Sequence, residues 1–167
     1  MSTKKSLFTN ISLICGIASS AITVLIFFIS GSPFDMLHKV DLGNTLPPIW
    51  VWGISSAVFS FLSGYAAGIL IGNMWCGKIV GNNEISAYRG LICFVALIFL
   101  SNLHYPLFFV AVRFLISLAV AMIGIIVAIA CAVFWAKPSP LSSVIISVYS
   151  LWMLYVSFVN ICLIIKI

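Results

Sequence analysis

From Leu46 to Trp75 the chain reads LPPIWVWGISSAVFSFLSGYAAGILIGNMW, and no charged side chain appears before Lys78. About 20 consecutive apolar residues cross the hydrocarbon of a bilayer, and indole rings favour its two borders. With Trp50 and Trp52 at one end and Trp75 at the other, the run predicts a membrane-spanning helix anchored at both interfaces. Pro47 and Pro48 end the segment before it. Ser56, Ser60, Gly64, Gly68 and Gly72 recur at every fourth position, so one face of this helix lacks bulky side chains. In water such spacing makes a poor helix; in lipid it makes a surface that a second helix can approach closely.

The rest of the chain has the same character. Of its 167 residues 63% are hydrophobic and 7% charged. A soluble core of this size has no room for so much apolar surface, whereas a bilayer solvates it. The net charge is +5 from 8 basic and 3 acidic residues. The basic residues stand singly between apolar runs, which fits anchoring beside the membrane and excludes a nucleic-acid surface. The cysteines, Cys15, Cys76, Cys93, Cys131 and Cys162, form no CxxC pair and all but Cys76 lie inside apolar runs. They read as small hydrophobes, with neither a disulfide framework nor a metal site.

Charges and prolines divide the chain into an all-α integral membrane protein, a bundle of five transmembrane helices in one domain. The predicted helices cover about 7–30, 49–74, 90–111, 113–135 and 142–165. The apolar core Ile11–Ile29 is longer than a signal-peptide core and reads as an uncleaved span. Residues 31–46 hold Asp35, His38, Lys39 and Asp41 and are long enough to form a lid over the bundle. The polar segment from Cys76 to Arg89, with Gly77, Gly81, Asn82 and Asn83, reads as a loop. Between Arg89 and Lys137 the only charge is Arg113, midway, so this stretch is a hairpin of two spans turning near Val110–Arg113, with Pro106 bending the first of them. Lys137-Pro138-Ser139-Pro140 is the next turn. The end bearing Lys4, Lys5, Lys78, Arg89 and Lys137 is richer in basic residues than the end bearing Lys39, Arg113 and Lys166, which favours a cytoplasmic N-terminus.

Polar groups at membrane depth are costly and call for a partner or a function. Asn102, His104 and Tyr105 fall together beside Pro106, and Asn160 lies in the last span. The asparagines are expected either to bridge helices by hydrogen bonds or to line a cavity. His104 lacks a second intramembrane histidine to complete an axial haem pair, so packing is the preferred reading. Tyr149, Trp152, Val156, Val159 and Asn160 share one face of the last helix, a stripe that suits packing or, facing a cavity, a flat ligand. The acids Asp35, Asp41 and Glu84 all lie in predicted loops, and no catalytic constellation can be assembled.

Three segments resemble the translocator protein family, also called tryptophan-rich sensory protein or peripheral benzodiazepine receptor. They are Pro47-Pro48-Ile49-Trp50 leading to Gly64-Tyr65; Ser101-Asn102-Leu103-His104-Tyr105-Pro106-Leu107-Phe108-Phe109 followed by Arg113; and Trp135, Ser139-Pro140, Tyr149, Trp152 and Asn160. The resemblance implies five helices enclosing a pocket, covered by the loop after the first helix, that binds porphyrins and in some members sterols or isoquinolines. Carried over by position, Trp52, Gly53, Asn102, Tyr105, Trp152, Val156 and Asn160 would line it, with Trp50 and Tyr149 beside them. A homodimer in a bacterial cell membrane, or alternatively a mitochondrial outer membrane, is also implied. Where the family has a helix 2 tryptophan linked to light-dependent porphyrin degradation, this chain has Ser56, which argues against that activity. The expected function is binding of a flat hydrophobic molecule, foremost a tetrapyrrole such as porphyrin or haem, for sensing, sequestration or transport, with no required cofactor. The alternatives are a ligand-free assembly protein and a porphyrin-degrading enzyme.

Overall fold

A computed structural model describes residues 2–30 and 49–166, with side chains described for 9–30 and 50–166. The predicted lid at 31–46 therefore lies outside the described residues. Five helices follow one another: α1 (Ser2–Ile29), α2 (Ile49–Trp75), α3 (Asn82–Tyr105), α4 (Phe114–Trp135) and α5 (Pro140–Lys166). All five are long and apolar enough to cross a membrane, and no strand occurs among the described residues. Helices α1 and α2 pack together, α2 meets α5, α5 meets α4, and α4 meets α3. Lighter contacts from α3 to α1 and α2 complete the bundle. Outward faces carry large apolar side chains such as Ile14, Phe28, Ile92, Leu115, Ile126 and Leu151, all mostly exposed, as a lipid solvent requires.

One boundary departs from the sequence reading. Helix α3 begins at Asn82, so only Cys76–Gly81 connects it to α2 and the predicted loop is half as long. Asn82, Asn83 and Glu84 form an exposed first turn in which the Glu84 carboxylate sits at the positive end of the helix dipole. One turn on, Ser86 Oγ donates to the Phe134 carbonyl at 2.7 Å and Ala87 is fully buried, so α3 is already docked on α4 there. Polarity here marks a helix leaving the hydrocarbon, not a break in it.

The small-residue face of α2 points at α1 within the same chain. A Cβ added at Gly68 would lie 2.5 Å from Ser12 Cα, and one at Gly64 would meet the Cys15 carbonyl and stand 2.6 Å from Ser19 Cβ. Thr23 Oγ1 and Ser60 Oγ share a hydrogen bond of 2.8 Å, and Ser20 Oγ donates to the Ala57 carbonyl at 3.1 Å. Gly72 and Ser56 are buried on the same helix. Ser12, Gly16, Ser19 and Thr23 supply the matching small face of α1, all of them buried. Two backbones in lipid gain dispersion and hydrogen bonds by approaching this closely, which bulky side chains would prevent. On the opposite side Gly90 of α3 makes room for the indole of the fully buried Trp135, which also packs against Phe94.

Candidate functional site

Pro106 sets the geometry of the site. Lacking an N–H, it cannot continue the α-helical ladder, and the chain passes through Pro106–Val110 as a π-helical turn closed by Ala111 N–H on the Pro106 carbonyl at 2.9 Å. Arg113 N–H then bonds the Leu107 carbonyl at 3.0 Å, and Val112 takes φ 51° as the chain reverses into α4. The wider turn places both Phe108 and Phe109 in the interior, at 2% and 8% exposure.

Around these two rings the aromatic residues of four helices converge. Trp52 stacks on Phe108 with ring centroids 5.7 Å apart and meets Phe109 edge-on at 6.3 Å. Trp152 stands 5.8 Å from Trp52 and stacks on Phe59 at 5.1 Å. Tyr105 stacks on Phe109, and Phe27 of α1 places its ring edge-on to both. Val156, Val159 and Leu163 close the cluster from α5. Offset and edge-to-face pairs of this kind add stabilisation beyond area burial.

Polar groups border the cluster. His104 stacks on Phe108, and its Nε2 lies 3.2 Å from Asn160 Nδ2. With Nε2 accepting, the imidazole proton is assigned to Nδ1. Asn160 Nδ2 also donates to the Val156 carbonyl at 2.9 Å, while Asn102 Nδ2 donates to the Ile98 carbonyl of its own helix at 2.9 Å. Asn160 thus links two helices and Asn102 does not. The side-chain oxygens of both are buried without a hydrogen-bond partner, and Ser56 Oγ has the Tyr105 phenol as its near polar neighbour. Tyr149, deeper in the bundle, donates to Ser101 Oγ at 2.7 Å.

The sequence-predicted site residues fall into three places. Trp52, Tyr105, Trp152 and Val156 belong to the aromatic cluster, with Asn160 at its edge. Asn102 and Tyr149 are buried on neighbouring faces of α3 and α5. Trp50 is 65% exposed and, with Gly53, walls a groove between α1 and α2. Phe27, Phe59, Phe108 and Phe109 are not among the sequence-predicted site residues, although Phe108 and Phe109 stand in the segment that carries the family resemblance. The double phenylalanine after an intramembrane proline was the available signal for two of them.

Five apolar helices around an aromatic core with buried amides define an integral, multi-pass membrane protein; among the described residues no group of histidine, cysteine or carboxylate side chains is placed to hold a metal. The profile of the TspO/MBR family matches residues 8–165, nearly the whole chain. The protein belongs to that family and is a membrane protein of its sensory and translocator kind. At the level of individual proteins, the chain matches no curated protein and no solved structure.

Proposed function

We propose that the protein binds a flat hydrophobic molecule, foremost a tetrapyrrole, against the Trp52–Trp152 cluster, in order to sense, sequester or move it. The observation that carries this reading is the buried, unpartnered side-chain oxygen of Asn160 at the edge of the stacked aromatic rings. An orphaned polar atom away from water costs about 1–3 kcal/mol, and a ligand donating hydrogen bonds would recover part of that. Trp152 is only partly buried and stacks on the partly buried Phe59, so this pair can part to admit a planar molecule at the least loss of packing. A homodimer, and a bacterial cell membrane as host, belong to the same proposal. No cofactor is required for it.

One observation favours a second reading, a ligand-free assembly protein: the rings already stack on one another and fill the space between the helices. The two separate on a titration of the purified protein in nanodiscs with protoporphyrin, following tryptophan fluorescence and the Soret band. Saturable quenching with a Soret shift, weakened in Trp152→Phe, supports the ligand reading. A linear response unaffected by the substitution means partitioning into lipid and leaves the assembly role. Illumination of the complex tests the degrading activity, for which Ser56 in place of an indole predicts no loss of Soret absorbance beyond that of free porphyrin.

A further inference from the structure

The groove between α1 and α2 differs from the cluster in what it faces. It has a volume of about 330 Å³, near the lower end for small-molecule pockets, and an almost wholly apolar lining. Phe28, Trp50 and Ile54 on its rim are 75%, 65% and 58% exposed, so it opens to the lipid that surrounds the bundle. Ser56 forms part of its wall and is 1% exposed; the Tyr105 phenol of the inner cluster lies within hydrogen-bonding reach of its hydroxyl, which no bond of full geometry satisfies. Phe27 also lines the groove, and the same ring touches Tyr105 and Phe109 of the inner cluster, at 6.0 and 5.7 Å between centroids. Opposite it stands Gly53, where a Cβ would lie 3.4 Å from the ring. Among the described residues, Phe27 and Ser56 therefore each touch both the lipid-facing groove and the inner cluster.

We propose that this groove is a lateral subsite for a planar apolar molecule dissolved in the bilayer, held by its exposed aromatic rim, with the Ser56 hydroxyl bonding one polar edge and the Phe27 ring in contact with the inner cluster. The assignment of its occupant rests on the reading above. Among the described residues its wall holds no basic or acidic side chain, so the apolar ring of an occupant fits inside while charged substituents, such as the propionates of a porphyrin, stay at the groove mouth. The groove suits a flat occupant because its rim carries the exposed aromatic side chains of Phe28 and Trp50. A hydroxyl both donates and accepts, so beside the Tyr105 phenol Ser56 keeps capacity for a donor or acceptor on the occupant, with no water at membrane depth to compete.

The test uses the full chain in nanodiscs, with its native cysteines replaced by alanine and a single thiol introduced by Ser56→Cys. The probe is pyrenyl maleimide, a flat apolar reagent that partitions into lipid. The thiol sulfur adds to one alkene carbon of the maleimide and a proton ends on the other, leaving a fluorescent thioether. Ser117→Cys is the control, since Ser117 is equally buried and unpartnered but lies on α4, away from the groove. Both thiols are in a low-dielectric interior, so access decides their relative rate, and Cys at 56 is expected to react at least about tenfold faster. Ala57→Phe, which puts a ring into the groove, should bring that rate down to the control's. Labelling no faster than at 117, or labelling that Ala57→Phe leaves unchanged, overturns the lateral subsite. Bound protoporphyrin should slow the labelling. If it does not, while the labelling still depends on the groove, the subsite stands and it is the tetrapyrrole reading that fails.

Discussion

Replacing Gly68 by alanine tests the central packing contact of α1 and α2. The added Cβ would sit 2.5 Å from Ser12 Cα and 3.0 Å from the Ile11 carbonyl oxygen, both backbone atoms that no rotamer change can move. Carbon atoms settle at about 3.5–4.0 Å, so the two helices must separate by about 1 Å at this level. Overpacking of this kind costs about 1–3 kcal/mol, and about 0.6 kcal/mol more follows for each interhelical hydrogen bond lost, with Thr23–Ser60 and Ser20–Ala57 at risk. Alanine's better helix propensity offsets up to about 1 kcal/mol. The net loss of about 1–3 kcal/mol corresponds to a melting temperature lower by roughly 2–12 °C for a chain of this size. Thermal unfolding in detergent, followed by tryptophan fluorescence and size exclusion, measures it. The comparison is Gly53→Ala, whose Cβ finds ordinary contact with Phe27 at 3.4 Å and which should unfold at the wild-type temperature or above. Equal melting temperatures for the two variants would refute the close approach of α1 and α2. Gly68→Leu should lose more than Gly68→Ala.

Gly90→Ala should destabilise by at least as much as Gly68→Ala, because its Cβ collides with the buried indole of Trp135, which Phe94 holds in place; a shift in tryptophan emission together with a lower melting temperature is the expected pair of readouts. Tyr149→Phe removes the hydrogen bond to Ser101 and should cost about 0.5–1.5 kcal/mol in the same melt; no change would mean that Ser101 is satisfied by the Leu97 carbonyl alone. Phe108→Ala leaves a cavity under Trp52 and His104 and should cost about 3–5 kcal/mol, the largest loss among these variants, checked by melting or by failure to purify as a folded species. Asn160→Leu, close to isosteric, removes an unpartnered oxygen together with the contact to His104. With the buried His104 Nε2 left without its donor, stability should fall by up to about 1–3 kcal/mol while protoporphyrin binding weakens, and unchanged binding would remove Asn160 from the proposed site.

Much of the membrane architecture was legible because bilayer thickness and the cost of intramembrane charge act on the linear chain. Charge-free runs from Asp41 to Lys78, from Arg89 to Arg113 and from Arg113 to Lys137 mark spans, and Pro106 marks an irregular turn without help from any neighbour. The start of α3 was misplaced because Asn82, Asn83 and Glu84 look like loop residues to composition, although their helix is docked by Ser86 and Ala87. For the candidate site the stripe of Tyr149, Trp152, Val156 and Asn160 was readable from helical spacing. Which rings it meets was not, since Phe27, Phe59, Phe108 and Phe109 come from three other parts of the chain.

The sequence by itself determined that this chain lives in lipid, crosses it five times and carries a small-residue face on α2, because each of these follows from hydrophobicity or spacing within a single segment. Only the tertiary structure decided that this face meets α1 of the same chain, that Asn160 and not Asn102 links two helices, and that Phe27 touches both the groove between α1 and α2 and the aromatic cluster. Those are relations between segments far apart along the chain, and lipid treats every apolar face alike until close packing and hydrogen bonds choose among the possible neighbours.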